Sequence, residues 1–134
     1  MTMHFRYRMG ARLTPIIPIK LKYKSKELPI TALLDSGADY TFIPEDVASI
    51  LGIKYQRLKS QKITGIDKEL TCAMCPVTLA VESEGEKHEI EVIAHIPMLS
   101  AKKVGVLIGR QGFFENFNIT FCEKSGDIYI EKNK

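Results

Sequence analysis

The sequence predicts an all-β domain, a small barrel or sandwich of many short strands with one or two short helices. Three observations predict it. Apolar residues recur at every second position in segment after segment, which is the period of a strand with one face on a core. Turn-forming clusters separate those segments, at Lys24-Ser25-Lys26, Gly85 and Ser125-Gly126-Asp127. Only two stretches depart from the pattern toward a helix. The chain has 134 residues, one domain's worth. A domain this size buries about two-thirds of the surface its unfolded chain exposes, so no disulfide or metal is needed to hold a core.

The elements follow in chain order. Phe5, Tyr7 and Met9 alternate with Arg6 and Arg8. Ile17, Ile19, Leu21 and Tyr23 alternate with Pro18, Lys20 and Lys22. Ala32-Leu33-Leu34 is continuously apolar and predicts a strand buried on both faces. Pro44-Glu45-Asp46 starts a short helix through Leu51, with Pro44 in the first turn and Gly52 just past the end. Val77, Leu79 and Val81 alternate with Thr78, Ala80 and Glu82, then Ile90 and Val92 with Glu89 and Glu91. Val106-Leu107-Ile108 is a second strand buried on both faces. Gly109 to Phe117 forms a second short helix with Phe113, Phe114 and Phe117 partly on one face. Phe117, Ile119 and Phe121, then Ile128 and Ile130, close the series.

Composition excludes several classes of function. Hydrophobic residues make up 45% and charged residues 26% of the chain, as in ordinary globular domains and unlike disordered or coiled-coil chains. The net charge of +3 suits solubility and does not make a dedicated phosphate-binding surface. Lys20, Lys22, Lys24 and Lys26 form the outer face of a hairpin and lack the interleaved aromatics of a nucleic-acid surface. No nucleic-acid partner is expected. No apolar run reaches the length of a membrane span, and arginines interrupt the N-terminus where a signal peptide needs its apolar stretch. A cytoplasmic protein without a membrane partner is expected. Three cysteines, an odd number in no framework spacing, fit a reducing compartment. Cys72 and Cys75 lie on a strand, where positions three apart face opposite ways. They have no second pair nearby to complete a tetrahedral site. His4, His88 and His95 match no ligand spacing. No metal and no cofactor are expected.

The chemistry concentrates at Ala32-Leu33-Leu34-Asp35-Ser36-Gly37-Ala38-Asp39. Asp35 sits immediately after a buried strand, so its carboxylate is held on a rigid strand end in a low-dielectric setting. Gly37 lets the backbone approach closely and turn, and the Ser36 hydroxyl can lock the turn by a local hydrogen bond. Asp-Ser-Gly also makes an ordinary turn on its own. The apolar triplet before it, Ala38-Asp39 after it, and a second apolar strand ending at Gly109-Arg110 set this one apart.

Leu33-Leu34-Asp35-Ser36-Gly37-Ala38-Asp39 resembles the active-site loop of retropepsin-like aspartic proteases. Val106-Leu107-Ile108-Gly109-Arg110-Gln111 resembles the apolar-apolar-Gly-Arg segment that precedes their C-terminal helix. The resemblance runs from about Pro15 to Phe121. It implies one retropepsin-like domain over 1–134, with its core at about 15–121, an extra N-terminal strand and a C-terminal hairpin. The implied fold is a closed antiparallel β-barrel of the acid-protease type with one or two short helices.

The resemblance also implies an aspartic endopeptidase acting on peptide or protein substrates. Such enzymes use two aspartates to activate one water, and this chain carries a single Asp-Ser-Gly. The implied enzyme is therefore a homodimer with one Asp35 from each subunit on the two-fold axis. By motif match, Ser36, Gly37 and Ala38 build the active-site loop. Ser36, where retroviral members more often carry Thr, cross-links the two loops through its hydroxyl. Asp39 and Arg110 form an ion pair that braces the loop; the bidentate geometry of arginine makes Arg110→Lys non-conservative. The hairpin Lys62 to Leu70 takes the place of the flap, with Gly65, Ile66 and Asp67 at or near its tip. Tyr40 and Leu107 are the expected pocket walls, beside Ile66. The tip is charged, at Asp67-Lys68-Glu69, and poorer in glycine than a retroviral flap. That departure supports a rival reading, a catalytically silent dimerisation or peptide-binding module on the same fold. A third reading is a structural β-domain in which Asp-Ser-Gly is only a turn.

Overall fold

The computed structural model describes residues 2–64, 69–98 and 105–134. Twelve strands carry the fold. In chain order they are β1 (Thr2–Arg6), β2 (Arg8–Met9), β3 (Leu13–Thr14), β4 (Ile16–Tyr23), β5 (Lys26–Leu34) and β6 (Thr41–Phe42), followed by β7 (Ser60–Thr64), β8 (Glu69–Ser83), β9 (Glu86–Pro97), β10 (Val106–Ile108), β11 (Phe117–Cys122) and β12 (Asp127–Lys132). Helix α1 (Glu45–Ile50) lies between β6 and β7.

Six strands close into a barrel in the order β4-β5-β10-β6-β9-β8, with β8 pairing back onto β4. Four of its seams are antiparallel; β10 runs parallel to β5, and β6 parallel to β9. Alternation fills the interior: Ile17, Ile19 and Leu21 from β4 meet Cys75, Val77 and Leu79 from β8, all buried. Strand β7 adds to the outer half of the long β8 as a hairpin, with Lys62 opposite Thr71 and Thr64 opposite Glu69. That hairpin is where the flap is expected. Its tip residues Gly65, Ile66 and Asp67 lie outside the described residues. A separate sheet, β1-β12-β11, lies against β8, where the Ser83 hydroxyl donates to the His4 carbonyl of β1 (3.1 Å).

The predicted helix at Pro44 is present within one residue of its expected bounds. Pro44 caps it, and Val47 and Ala48 face the core. Gly52, at φ +78, closes the C-terminus: its amide bonds the Ser49 carbonyl (3.0 Å), and the Ile53 amide bonds Ala48 (2.9 Å). Both orphan carbonyls are satisfied, and the positive φ needs glycine. The turn Glu84-Gly85 has positive φ at both residues, the geometry that matches the strand twist of a two-residue hairpin.

Three expectations are corrected. Met9 is 72% exposed, not part of the core face. The first strand ends at Arg6, with the Tyr7 amide making one more bond in its register to the Gly126 carbonyl (2.7 Å), and Arg8–Met9 pairs instead in a separate ribbon with Leu13–Thr14. The triplets at 32–34 and 106–108 are not buried on both faces: Leu33 and Leu107 are only half-buried. The helix expected over Gly109 to Phe117 is a single irregular turn, Arg110–Phe114, because Gln111 (ψ 128) and Gly112 (φ 85) leave helical geometry.

Candidate active site

Asp35 follows the last residue of β5 directly, so its backbone inherits the position of a strand pinned on both sides. The Leu34 amide donates to the Pro15 carbonyl (3.0 Å), and the Asp35 amide donates to the Ile108 carbonyl (3.0 Å). The turn then closes on the aspartate itself. Asp35 Oδ1 accepts the Gly37 amide (2.9 Å), and the Asp35 carbonyl accepts the Ala38 amide (3.1 Å). A side-chain oxygen thus stands in for a backbone carbonyl and fixes the carboxylate's direction. This corrects the turn-locking role given to Ser36. Its exposed hydroxyl makes no hydrogen bond among the described residues, because the Asp35 carboxylate has already taken the amide that locks the turn. At Gly37 a Cβ would sit 3.3 Å from Asp35 Oδ1, a tight contact that would press on the carboxylate.

The two motifs are clamped to one another. The Arg110 amide donates to the Ala38 carbonyl and the Gln111 amide to the Asp39 carbonyl, each at 2.9 Å. Arg110 Nη2 also donates to Asp39 Oδ1. The Asp39 and Arg110 side chains are 65% and 58% exposed. An ion pair in that setting contributes at most about 1 kcal/mol. The backbone bonds carry the brace, and the guanidinium fixes its register. Gly109 makes the clamp possible. A Cβ there would lie 2.1 Å from the Tyr40 carbonyl oxygen, inside any allowed contact.

Beside the loop, Leu33, Leu107, Phe42 and His95 are successive cross-strand partners on β5, β10, β6 and β9. They therefore share one face of the sheet. The Tyr40 ring stacks on His95 (4.3 Å between centroids) and meets Phe42 edge-on (6.5 Å). Tyr40 and Leu107, the expected pocket walls, lie at this half-buried apolar row. Two neighbours escaped the sequence reading. Thr41 is buried and its Oγ1 lies 3.4 Å from the Gly109 amide; its only signal was a hydroxyl in an otherwise apolar segment. His95 looked scattered in sequence, and only the β6–β9 pairing brings it under Tyr40.

His95 is 2% exposed, with Nδ1 3.0 Å from the Ile93 carbonyl. Burial holds its imidazole below the usual value of 6.5, against the opposing pull of backbone hydrogen bonds at Ile93 and Thr41. The unfolded chain therefore takes up this proton first. The stability His95 contributes is full above pH 6.5 and is lost as pH falls from there toward its folded pKa. In urea titrations across that window, His95→Phe is expected to flatten the acid-side loss of stability. Parallel slopes for both proteins would contradict this assignment.

Among the described residues no group of three potential metal ligands is found, and no helix is long and apolar enough to cross a membrane. The family model described as aspartyl protease matches residues 19–110, a span that contains the first motif and all of the second but Gln111. No curated protein matches the chain by sequence. Among solved structures, a retropepsin-like aspartic protease from Rickettsia conorii superposes with a TM-score of 0.66 at 15% identity, covering 97% of this chain and 91% of that one. At that identity the likeness is one of fold.

Proposed function

Because the chain belongs to the aspartyl protease family, we propose that it is an aspartic endopeptidase whose active site forms between two copies, one Asp35 from each. The observation that carries the reading is the presentation of Asp35. It is half-buried on a pinned strand end, aimed by its own bond to Gly37, and braced from behind by the 108–111 segment. A single chain holds one such loop, and the chemistry needs two carboxylates.

Two carboxylates brought close on a two-fold axis cannot both ionise, so they share a proton. The ionised Asp35 takes a proton from a bound water while the water oxygen attacks the scissile carbonyl carbon. The protonated Asp35 gives its proton to the carbonyl oxygen as charge develops there. Collapse of the tetrahedral intermediate breaks the C–N bond: the proton held by the first carboxylate passes to the leaving nitrogen, and one hydroxyl of the intermediate returns a proton to the second carboxylate as the carbonyl re-forms. The unpartnered Ser36 hydroxyl is free to bond across the two loops. The substrate lies extended, as an added strand between the β7–β8 hairpin and the row containing Tyr40 and Leu107. Free cysteines at 72, 75 and 122 support work in a reducing, cytoplasmic setting.

The test is incubation of the purified protein with an unbiased peptide mixture from acid to neutral pH, with products read by mass spectrometry. Cleavage is expected, strongest on the acid side of neutral, where a shared-proton pair works best. A dimeric protein that cleaves nothing at any of these pH values would transfer the assignment to the silent peptide-binding module.

A further inference from the structure

We infer that His95 is a positioning residue of the proposed active site: its neutral ring seats Tyr40 as a pocket wall, and a proton on that ring unseats Tyr40 and weakens substrate binding. The inference rests on the two-Asp35 reading above and adds a control on the same site.

The apolar row beside the Asp35 loop continues past its first four members. Met74 on β8 is the cross-strand partner of His95, and Ile16 on β4 is that of Leu33. All six barrel strands thus contribute to one band across the face of the sheet opposite the core. His95 is the one titratable member of that band. The backbone around it is fixed. Its carbonyl accepts the Ile43 amide (3.0 Å), and the Tyr40 carbonyl lies against Gly109 with no room for a methyl group. That leaves the rings to move. The Tyr40 ring lies 25° from parallel with the imidazole, and Phe42 tilts onto it at 5.8 Å between centroids. Nδ1 faces the Ile93 carbonyl, which only accepts, so the neutral ring donates there.

No charged side chain governs this proton. Burial acts against it, and the backbone of Ile93 and Thr41 acts for it. Tyr40 is the titratable group in contact with the ring. Phe42 from β6 and Met74 from β8 carry no charge. On β9 itself the same face holds Ile93 and then the exposed Glu91. Lys59, whose carbonyl accepts the Met74 amide, is exposed, and Asp39, next to Tyr40, is exposed and paired with Arg110.

A proton on His95 would put a full charge inside the apolar band. A cation gains some attraction from an aromatic face. Burial outweighs it here and keeps the imidazole below its usual 6.5, so the packed arrangement excludes the proton. The proton is taken by an arrangement in which the ring reaches water, and Tyr40, stacked on it, must first leave its place. Whatever binds against the seated Tyr40 therefore binds more weakly as the proton is taken up, and substrate in turn expels the proton. Affinity is full above pH 6.5 and falls as pH drops through the folded pKa of His95. The effect opposes the shared-proton pair, which favours the acid side, so His95 sets the acid limit of activity through KM.

The experiment measures KM and kcat separately from acid to neutral pH for wild type, His95→Phe and His95→Gln. The same peptide is titrated onto Asp35→Asn, alone and combined with each His95 variant, by fluorescence anisotropy, where the catalytic pair no longer titrates. KM of the wild type and Kd of Asp35→Asn are expected to rise on the acid side, by up to ~10-fold per pH unit for a single proton. Both should stay level in the His95 variants. Ring-proton signals of His95 and Tyr40 in the free protein should shift together, with one midpoint below 6.5. His95→Gln keeps a donor for the Ile93 carbonyl without a titrating group, and decides the matter if His95→Phe does not fold. Level wild-type KM and Kd, or an equal rise in the variants, would overturn the His95 assignment and leave the two-Asp35 reading standing. A protein that binds peptides and cleaves none would overturn the protease reading, and its Kd profile would still decide His95. A protein that binds none would overturn both.

Discussion

Asp35→Asn is expected to lower peptide cleavage by at least ~10³-fold, within the range that positioned acid–base groups supply. The substitution is nearly isosteric, and the oxygen of the introduced amide can still accept the Gly37 hydrogen bond that closes the turn. Fold and oligomeric state should therefore survive. In a homodimer the change strikes both halves of the pair, so neither a base for water nor an acid for the carbonyl remains. Peptide binding should persist, because the apolar row beside Tyr40 is untouched. Equal cleavage by both proteins would remove Asp35 from the mechanism.

The second large effect is expected at Gly109→Ala, a change of one methyl group. The new Cβ would press on the Tyr40 carbonyl, with its oxygen at 2.1 Å and its carbon at 2.6 Å. Backbone cannot rotate away as a flexible side chain can. Either the Tyr40 segment or β10 must shift, and with it the amide of Arg110 that holds Ala38. A destabilisation of at least ~3 kcal/mol is expected, at the upper end for overpacking. Activity should fall in the protein that remains folded, because the clamp behind Asp35 is displaced. Denaturant titration reads the first effect; a loss below about 1 kcal/mol would mean the loop accommodates the methyl freely.

Much of the architecture was legible in the sequence because it is local. Alternation marked β4, β8, β9 and β12, and Pro44 and Gly52 bracketed α1 almost to the residue. Asp35, Asp39 and Arg110 were legible because two short motifs carry them. What escaped depends on contacts distant in sequence. Nothing local shows that β10 pairs antiparallel with β6, Leu107 opposite Phe42, which is what places Gly109 against Tyr40 and Thr41. Periodicity alone put Met9 on the core face, whereas its pairing with Leu13 carries it into a separate ribbon. The phenylalanines after Gly109 read as a helical face, yet Gly112 holds φ +85, where an added Cβ would also meet Val92 Cγ1 at 2.8 Å. His95 became part of the site only through the short β6–β9 pairing.

An active site made of two chains ties activity to association. Specific activity measured against chain concentration, on samples whose sedimentation is followed in parallel, tests it most directly. Activity per chain is expected to fall with the dimer fraction on dilution and to reach zero for the monomer. Constant activity per chain in a species that sediments as a monomer would contradict it.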